Sequence, residues 1–417
     1  MDELMIDNEA LEFQPSNTWA PLSFEEATEP LDLDLYVHIP FCETRCHFCD
    51  FVVLAGNAAS EDRIEMYLTG LRNEFGFLAR RLGDNIRLRS IQIGGGTPSV
   101  LTPEQIKMLF DDINTNFDVS GVEDIIFEGF PNSLTEDRIE VLTTLPNLKI
   151  NMGVQSFNNA QLSAVGRTHT GSQAIDAIRR IRKSHRGSVG IDIIAGLPGS
   201  NPESVLRDLE RAIELGVDHV AIYPLWLYPG TKLYRDTRQP EFDSYETRRK
   251  ALVIADSYLT DHGFLRYTIF HYARLPGLQQ HLYGKHQMEG GEWIGTGLGS
   301  VSFFNRTVWR NGSSFKRYLS NALSGHSVVE TGYRMSARET ITRAFAYILR
   351  RVPIPMDLFE SRFGVPADLL FSDQLQKLCD VGWVVNNSGE IFLTADGILH
   401  LGAIEKELVG SIRKEML

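Results

Sequence analysis

Leu31 to Ile39 (LDLDLYVHI) alternates apolar and polar positions at first and closes on Pro40, a period of two that predicts a β-strand. From there to about residue 230, strand-like and helix-like runs take turns. IRLRSIQIGGG reads as a strand ending in a glycine turn. TPEQIKMLFDDINTNF follows as a helix, with Thr102 as N-cap, Pro103 at the first helical position and Glu104 next in the first turn. VEDIIFEGF, LKINMGVQSF, SVGIDIIAGLPG and VDHVAIYPLWL read as further strands. SLTEDRIEVLTTL, GSQAIDAIRRIRKS and NPESVLRDLERAIELG read as the helices between them. Repeated β-α units with Gly or Pro at the strand ends imply a parallel sheet with right-handed crossovers. About six such units over 31–235 fit an α/β fold of partial (β/α)6 barrel type better than a full eight. In such barrels the chemistry sits just after the strands.

Outside the barrel the pattern changes twice. Residues 236–335 are less regular and end in the glycine-rich GGEWIGTGLGSVSFF, an expected extension bearing substrate contacts. Over 336–417, SARETITRAFAYILRR and SDQLQKLCDVGWVV read as amphipathic helices and GEIFLTADG as a strand pair with a turn, the outline of a small winged-helix appendage. Residues 1–30, rich in Asp, Glu and Asn, read as an extended arm.

The 417 residues carry a net charge of −13, which argues against a general nucleic-acid binder. The appendage therefore reads as packing or a substrate lid rather than a DNA contact. No run approaches the ~20 apolar residues of a membrane span. The acidic N-terminus lacks the basic start and apolar stretch of a signal peptide, so a cytoplasmic location is expected.

Of 4 cysteines, Cys42, Cys46 and Cys49 fall together in FCETRCHFCD, the pattern of a metal or cofactor clamp and not a disulfide framework. C-x3-C-x2-C puts three thiolates on one short loop, able to ligate three irons of a 4Fe–4S cubane and leave the fourth open. An open iron lets S-adenosylmethionine (SAM) chelate through its amino and carboxylate groups. Electron transfer into the sulfonium then breaks a C–S bond and yields a 5′-deoxyadenosyl radical. Structural zinc would want a fourth protein ligand and a second knuckle. His47 is nearby but lies between cysteines that already point inward. Cys379, in the appendage, reads as a small buried hydrophobe.

Tyr36-Val37-His38-Ile39-Pro40-Phe41-Cys42, with the motifs that follow in order over about residues 31–310, resembles one radical SAM subfamily. It is the group typified by oxygen-independent coproporphyrinogen dehydrogenase. Heme chaperones, anaerobic heme-opening enzymes, and class C radical SAM methyltransferases and cyclopropanases belong to it too. Gly94-Gly95-Gly96-Thr97-Pro98 follows a strand, where glycines let backbone approach a ligand and carbonyls can accept from the SAM ammonium. The resemblance implies that Glu128 lies near the SAM amino group, although Phe127-Glu128-Gly129-Phe130-Pro131 departs from the commoner Glu-x-Asn-Pro form. Gln155 and Asp192 can bond the ribose hydroxyls, and the planar fork of Arg167 can pair with the methionyl carboxylate. His169 is either a SAM contact or a surface histidine. The subfamily also suggests a second SAM, near Phe48, Ile194-Ala195-Gly196 and Gly295-Thr296-Gly297-Leu298-Gly299.

The reaction is chosen on local features. Coproporphyrinogen dehydrogenase has a further cysteine after the triad, where this chain reads Asp50-Phe51-Val52. Heme chaperones carry a Cys-Arg-His-Asn-type segment where it reads Leu278-Gln279-Gln280-His281-Leu282-Tyr283. Cys46-His47-Phe48-Cys49-Asp50, followed by an aromatic and two valines, looks most like the class C methyltransferases. The leading expectation is therefore methyl transfer or cyclopropanation at an sp2 carbon of a planar substrate, using two SAM molecules. Porphyrin or heme chemistry, or a heme chaperone, is the alternative. Tyr36, His38, Tyr223, Tyr228, His271 and His281 are the candidate acid–base groups, with Tyr36 also placed at the cofactor. Trp226, Phe270 and Trp293 could stack on a flat substrate or serve as core packing. A flavodoxin or ferredoxin is the expected electron donor.

Overall fold

The computed structural model describes residues 31–83, 86–236, 245–274, 280–387 and 390–414. The expected arm at 1–30 and the first part of the 278–283 segment lie outside them. A twelve-stranded sheet organises the chain. Its centre is the run of parallel strands Leu31–Ile39, Ile86–Gly95, Asp124–Gly129, Leu148–Gln155, Ser188–Ala195 and His219–Pro224, the six units read from the sequence. Leu33, Leu35, Val37 and Ile39 are all fully buried, and Asp34 on the opposite face is nearly so. Burial on both faces is what parallel strands covered by helices require.

The sheet continues beyond both ends of this run. Trp293–Thr296 pairs parallel with Leu31–Ile39 and leads to the antiparallel Val301–Phe304, Thr307–Asn311 and Val329–Arg334. At the other end, His271–Arg274 runs antiparallel to His219–Pro224, followed by Phe264–Arg266. The result is a mixed sheet with a partial barrel at its heart.

Local signals explain the helices. Pro103–Asn116 starts with Thr102, whose hydroxyl accepts from the Gln105 amide while the Gln105 side chain reaches back, a reciprocal cap. Thr170 with Gln173 and Asn201 with Ser204 open Gly171–Ser184 and Pro202–Glu214 the same way. In the appendage, Ala337–Ile348 and Ser372–Asp380 form as expected, with Met356–Phe363 and Ala367–Leu370 between them. The strand pair is shifted from its expected place. Val384–Asn387 pairs with Glu390–Leu393, and Thr394 accepts from the Gly397 amide to cap a helix over Ala395–Leu399. Thr394-Ala395-Asp396-Gly397 thus follows capping chemistry instead of continuing the strand. Cys379, expected to be buried, is exposed.

Two buried charges hold the outer segments to the barrel. Glu74, on the helix Glu61–Leu82, accepts from Tyr318 Oη, Asn311 Nδ2 (2.7 Å) and the Gly297 amide (3.0 Å). Burial still pushes its carboxyl up to about 7. Lys149 and Asp124, on adjacent strands, form a buried ion pair at 2.9 Å. Lys149 also bonds the Gln280 carbonyl, and Asp124 Oδ2 accepts from the Leu282 amide at 2.7 Å, so the pair pins the segment around His281. Removing one partner of a buried pair strands the other charge, at a typical cost of about 3–5 kcal/mol. Lys149→Met is therefore expected to lower the urea midpoint of unfolding by that energy, with the slope unchanged. A midpoint like that of the wild type would show that the pair holds nothing.

Candidate active site

The cluster loop leaves the central strand at Pro40 and is closed at its neck by a short parallel pairing, Phe41 with Leu54 and Cys42 with Ala55. His47 anchors its far side. Its amide donates to Val165 O (2.9 Å), its Nδ1 meets Ala164 O (3.2 Å), and its ring packs where a side chain on Gly166 would be. That engagement turns His47 away from ligation. Arg45 Nη2 donates to Cys49 O at 3.2 Å, within the loop.

Cys42, Cys46 and Cys49 line one cavity together. Among the described residues no three His, Cys, Asp or Glu groups converge to hold a single ion. Three thiols on one cavity wall could each take a different iron of a cubane. Burial pushes the Cys49 thiol up to about 12 and that of Cys42 upward as well. Such sulfurs become thiolates only against a cationic partner, which iron supplies. Thr97 Oγ1 lies 3.5 Å from Cys42 Sγ and Arg167 Nη1 3.4 Å from Cys46 Sγ, both placed to donate to thiolate.

The same cavity gathers Phe48, Gly95, Gly96, Thr97, Glu128, Gln155, Arg167 and Asp192. The glycine triplet is forced by crowding. A Cβ at Gly94 would meet the Glu128 carboxylate at 2.7 Å, one at Gly95 the His38 ring at 2.5 Å, and one at Gly96 the backbone of Ile39–Phe41 at about 2.8 Å. Gln155 adopts φ 68° where the ladder to Ser188–Ala195 shifts register, a left-handed conformation rare outside glycine. The irregularity aims its side chain into the cavity. The Arg167 guanidinium carbon lies over the Phe130 ring, 4.2 Å from its centroid, and the side chain bonds the Gly153 carbonyl. Its Nε is buried without a partner, and the residue forms part of the cavity wall.

Two carboxyls face this arginine. Glu128 accepts from Gln92 Nε2 at 2.6 Å and Asp192 from Asn151 Nδ2 at 3.0 and 3.1 Å. Burial, then the neighbouring charge of Asp192, raises Glu128 to about 7. Burial raises Asp192 to about 6 against the pull of Asn151 and Arg167. A pair of carboxyls this costly to ionise suits a cationic ligand.

A second cavity of about 440 Å³ opens beside the first and shares Phe48, Cys49, Phe51, Glu128, Gln155 and Asp192 with it. Ile194, Tyr223, Trp226, Tyr228, His271 and His281 line its far wall, a mixture of aromatic surface and polar tips typical of organic-ligand sites. Gln92 and Asn151, which steer the two carboxyls, were not singled out in the sequence; they pair with Ile126 and Gly190, each two residues before the carboxylate on the neighbouring strand, so the shared face set by strand alternation was the available signal. Phe270 packs behind Tyr223 and Trp226, at 5.2 and 5.4 Å between ring centroids.

Several expected contacts lie elsewhere. Tyr36 and His38 line neither cavity. His38 Nε2 meets Val52 O (2.9 Å), so it carries the proton and Nδ1 accepts from Tyr36 Oη (3.0 Å). Both groups are spent on holding the cluster loop to the central strand. The loop Gly295–Gly299, expected at a second SAM, is instead packed against the helix Glu61–Leu82: a Cβ on Gly297 would lie 2.4 Å from Tyr67 Oη. Gly196 makes a positive-φ turn (96°) just past the cavity wall. His169 is buried, bonded to Val154 O at 3.2 Å and edge-on to Phe130, a packing residue and not a surface one. Trp293 is likewise buried, under the Arg343 guanidinium.

Residues 36–212 match the Radical SAM superfamily. The chain is 30% identical over 386 residues to the heme chaperone HemW of Lactococcus lactis, covering 90% of this chain and 97% of that one. It is 25% identical to an oxygen-independent coproporphyrinogen III oxidase of Synechocystis, covering 93% and 85%. The coproporphyrinogen III oxidase HemN of Escherichia coli shares the fold, with a TM-score of 0.74 at 23% identity over 91% of this chain and 90% of that one. With the barrel, the three-cysteine loop and its cavity in hand, the chain belongs to the radical SAM superfamily, in the subfamily of HemW and the coproporphyrinogen III oxidases.

Proposed function

We propose that this radical SAM enzyme acts on a tetrapyrrole-class substrate held in the larger cavity. The shared wall carries the reading: Phe48, Glu128, Gln155 and Asp192 face both cavities, so a substrate in one abuts a cofactor in the other. The cluster and SAM, when bound, supply a 5′-deoxyadenosyl radical, with the electron coming from a donor such as flavodoxin or ferredoxin. Cys42, Cys46 and Cys49 would hold the cluster. Arg167 would take the methionyl carboxylate, Glu128 the amino group, and Gln155 and Asp192 the ribose. Trp226, Tyr223 and Phe48 offer flat surface to a macrocycle.

The relatives' names favour tetrapyrrole chemistry over the methyl transfer suggested by the cluster loop. Methyl transfer with a second SAM is the competing reading and rests on Cys46-His47-Phe48-Cys49-Asp50 alone. Turnover is favoured over iron ligation through His281, because its Nε2 is enclosed and its ring is stacked 3.7 Å from that of His219.

With SAM deuterated on its methyl group, dithionite and a coproporphyrinogen, the reconstituted enzyme is expected to release unlabelled 5′-deoxyadenosine only when the tetrapyrrole is present. Deuterium in that product, with S-adenosylhomocysteine, would move the assignment to methyl transfer. No cleavage, with tight heme binding, would make the protein a chaperone.

SAM binding should also depend on pH. Raised carboxyl pKa values favour the folded protein below the ordinary carboxylate range, and that contribution is lost as pH rises from there through about 6 for Asp192 and about 7 for Glu128. A cationic ligand needs the ionised forms, so binding releases protons and tightens with pH over that window. The limit is about tenfold per pH unit for one proton. Calorimetry of the cluster-loaded protein is expected to show this slope, reduced in Glu128→Gln. A flat profile for the wild type would remove Glu128 and Asp192 from the SAM contacts.

A further inference from the structure

Tyr223 stands at the end of the last parallel strand, His219–Pro224, where it faces the larger cavity. Its hydroxyl lies 3.0 Å from His271 Nε2. On the other side of that ring, His271 Nδ1 lies 2.7 Å from Thr268 Oγ1. Which way the hydrogens run along this chain follows from Thr268. Its oxygen already accepts from two backbone amides, Phe270 at 3.2 Å and His271 at 3.0 Å. A hydroxyl has two acceptor sites and one hydrogen. With both sites filled, that hydrogen must go to His271 Nδ1. His271 then carries its own proton on Nε2 and donates it to the Tyr223 oxygen.

Tyr223 is left with its hydrogen free. His271 is the hydrogen-bond partner of its oxygen among the described residues, and that partner is a donor. The phenol is buried beside the Asp192 and Glu128 carboxyls, which with burial hold it well above its ordinary value, so it stays an O–H. His271 is likewise kept neutral by burial. A hydroxyl whose oxygen accepts from an imidazole N–H is polarised towards donating.

We infer that Tyr223 presents its phenolic hydrogen to the substrate, with Thr268 and His271 as positioning residues, so that the site selects a molecule bearing an oxygen acceptor. A carboxylate meets that requirement most strongly. The inference rests on the larger cavity being the substrate site, as proposed above.

Two measurements on the cluster-loaded protein test it. In protein labelled with [15N]histidine, the His271 ring, assigned by its loss in His271→Gln, is expected as the Nε2–H tautomer. Thr268→Ser should keep that tautomer and Thr268→Val should release it. Coproporphyrin III, followed by quenching of tryptophan fluorescence, is expected to bind Tyr223→Phe about 10- to 100-fold more weakly than the wild type, the loss of one hydrogen bond to a charged group. An Nδ1–H tautomer would overturn the inference, since Tyr223 would then donate to His271. Equal affinity in Tyr223→Phe would overturn it too. Should the wild type fail to bind coproporphyrin III, the tetrapyrrole reading falls, and the tautomer alone decides the role of Tyr223.

Discussion

The close approach of Gly96 to Ile39–Phe41 is the contact on which the site is built. The Gly96 amide donates to Ile39 O at 2.8 Å, and no side chain fits between the two backbones. Two neighbouring strands therefore end side by side, one turning into the cluster loop and the other into the cofactor cavity. Gly94 and Gly95 extend the same logic, since one yields room to the Glu128 carboxylate and the other to His38. The cysteines, the glycine turn and the first carboxylate occupy fixed relative places because three backbones converge there.

This geometry is costly. Glu128 and Asp192 are buried together; Glu128 accepts from Gln92 and the Gly95 amide, and Asp192 accepts from Asn151 with the Arg167 charge nearby. Amide donors lower the penalty of burying a carboxylate without removing it. The folded protein thus stores an unfavourable electrostatic environment that a cationic ligand relieves. Arg167, with part of its fork unpartnered, is the complementary half. Functional sites are where such local conflicts are expected.

The barrel was legible because its strands are buried on both faces and its helices carry explicit caps. LDLDLYVHI, the Thr102 cap and the glycine turns each speak through one element, and the structure follows them. The cavity residues Gln155 and Asp192 were legible for a related reason, since the C-terminal halves of strands in a parallel sheet all open on one side, where Arg167 arrives from the loop after the helix Asn159–Ala164. What could not be read were relations between elements. Tyr36 and His38 carry the right chemistry, yet their hydrogen bonds to each other and to Val52 consume it. Gly295–Gly299 resembles a ligand loop, but the buried Glu74 and Tyr67 beneath it come from a helix more than two hundred residues earlier. Thr394 was misjudged because a cap and a strand end look alike until the following amides are placed.

The segment around His281 has a consequence for how this scaffold diverges. Its attachment is made through main-chain groups: Gln280 offers its carbonyl to Lys149, His281 its amide to Tyr267, and Leu282 its amide to Asp124. Main-chain groups therefore carry part of the hold on this wall of the larger cavity. His281, Tyr283, Lys285 and Met288 line the larger cavity from that frame. A segment anchored in this way can change what it presents to the cavity while the cluster loop and the strands beside it keep their places.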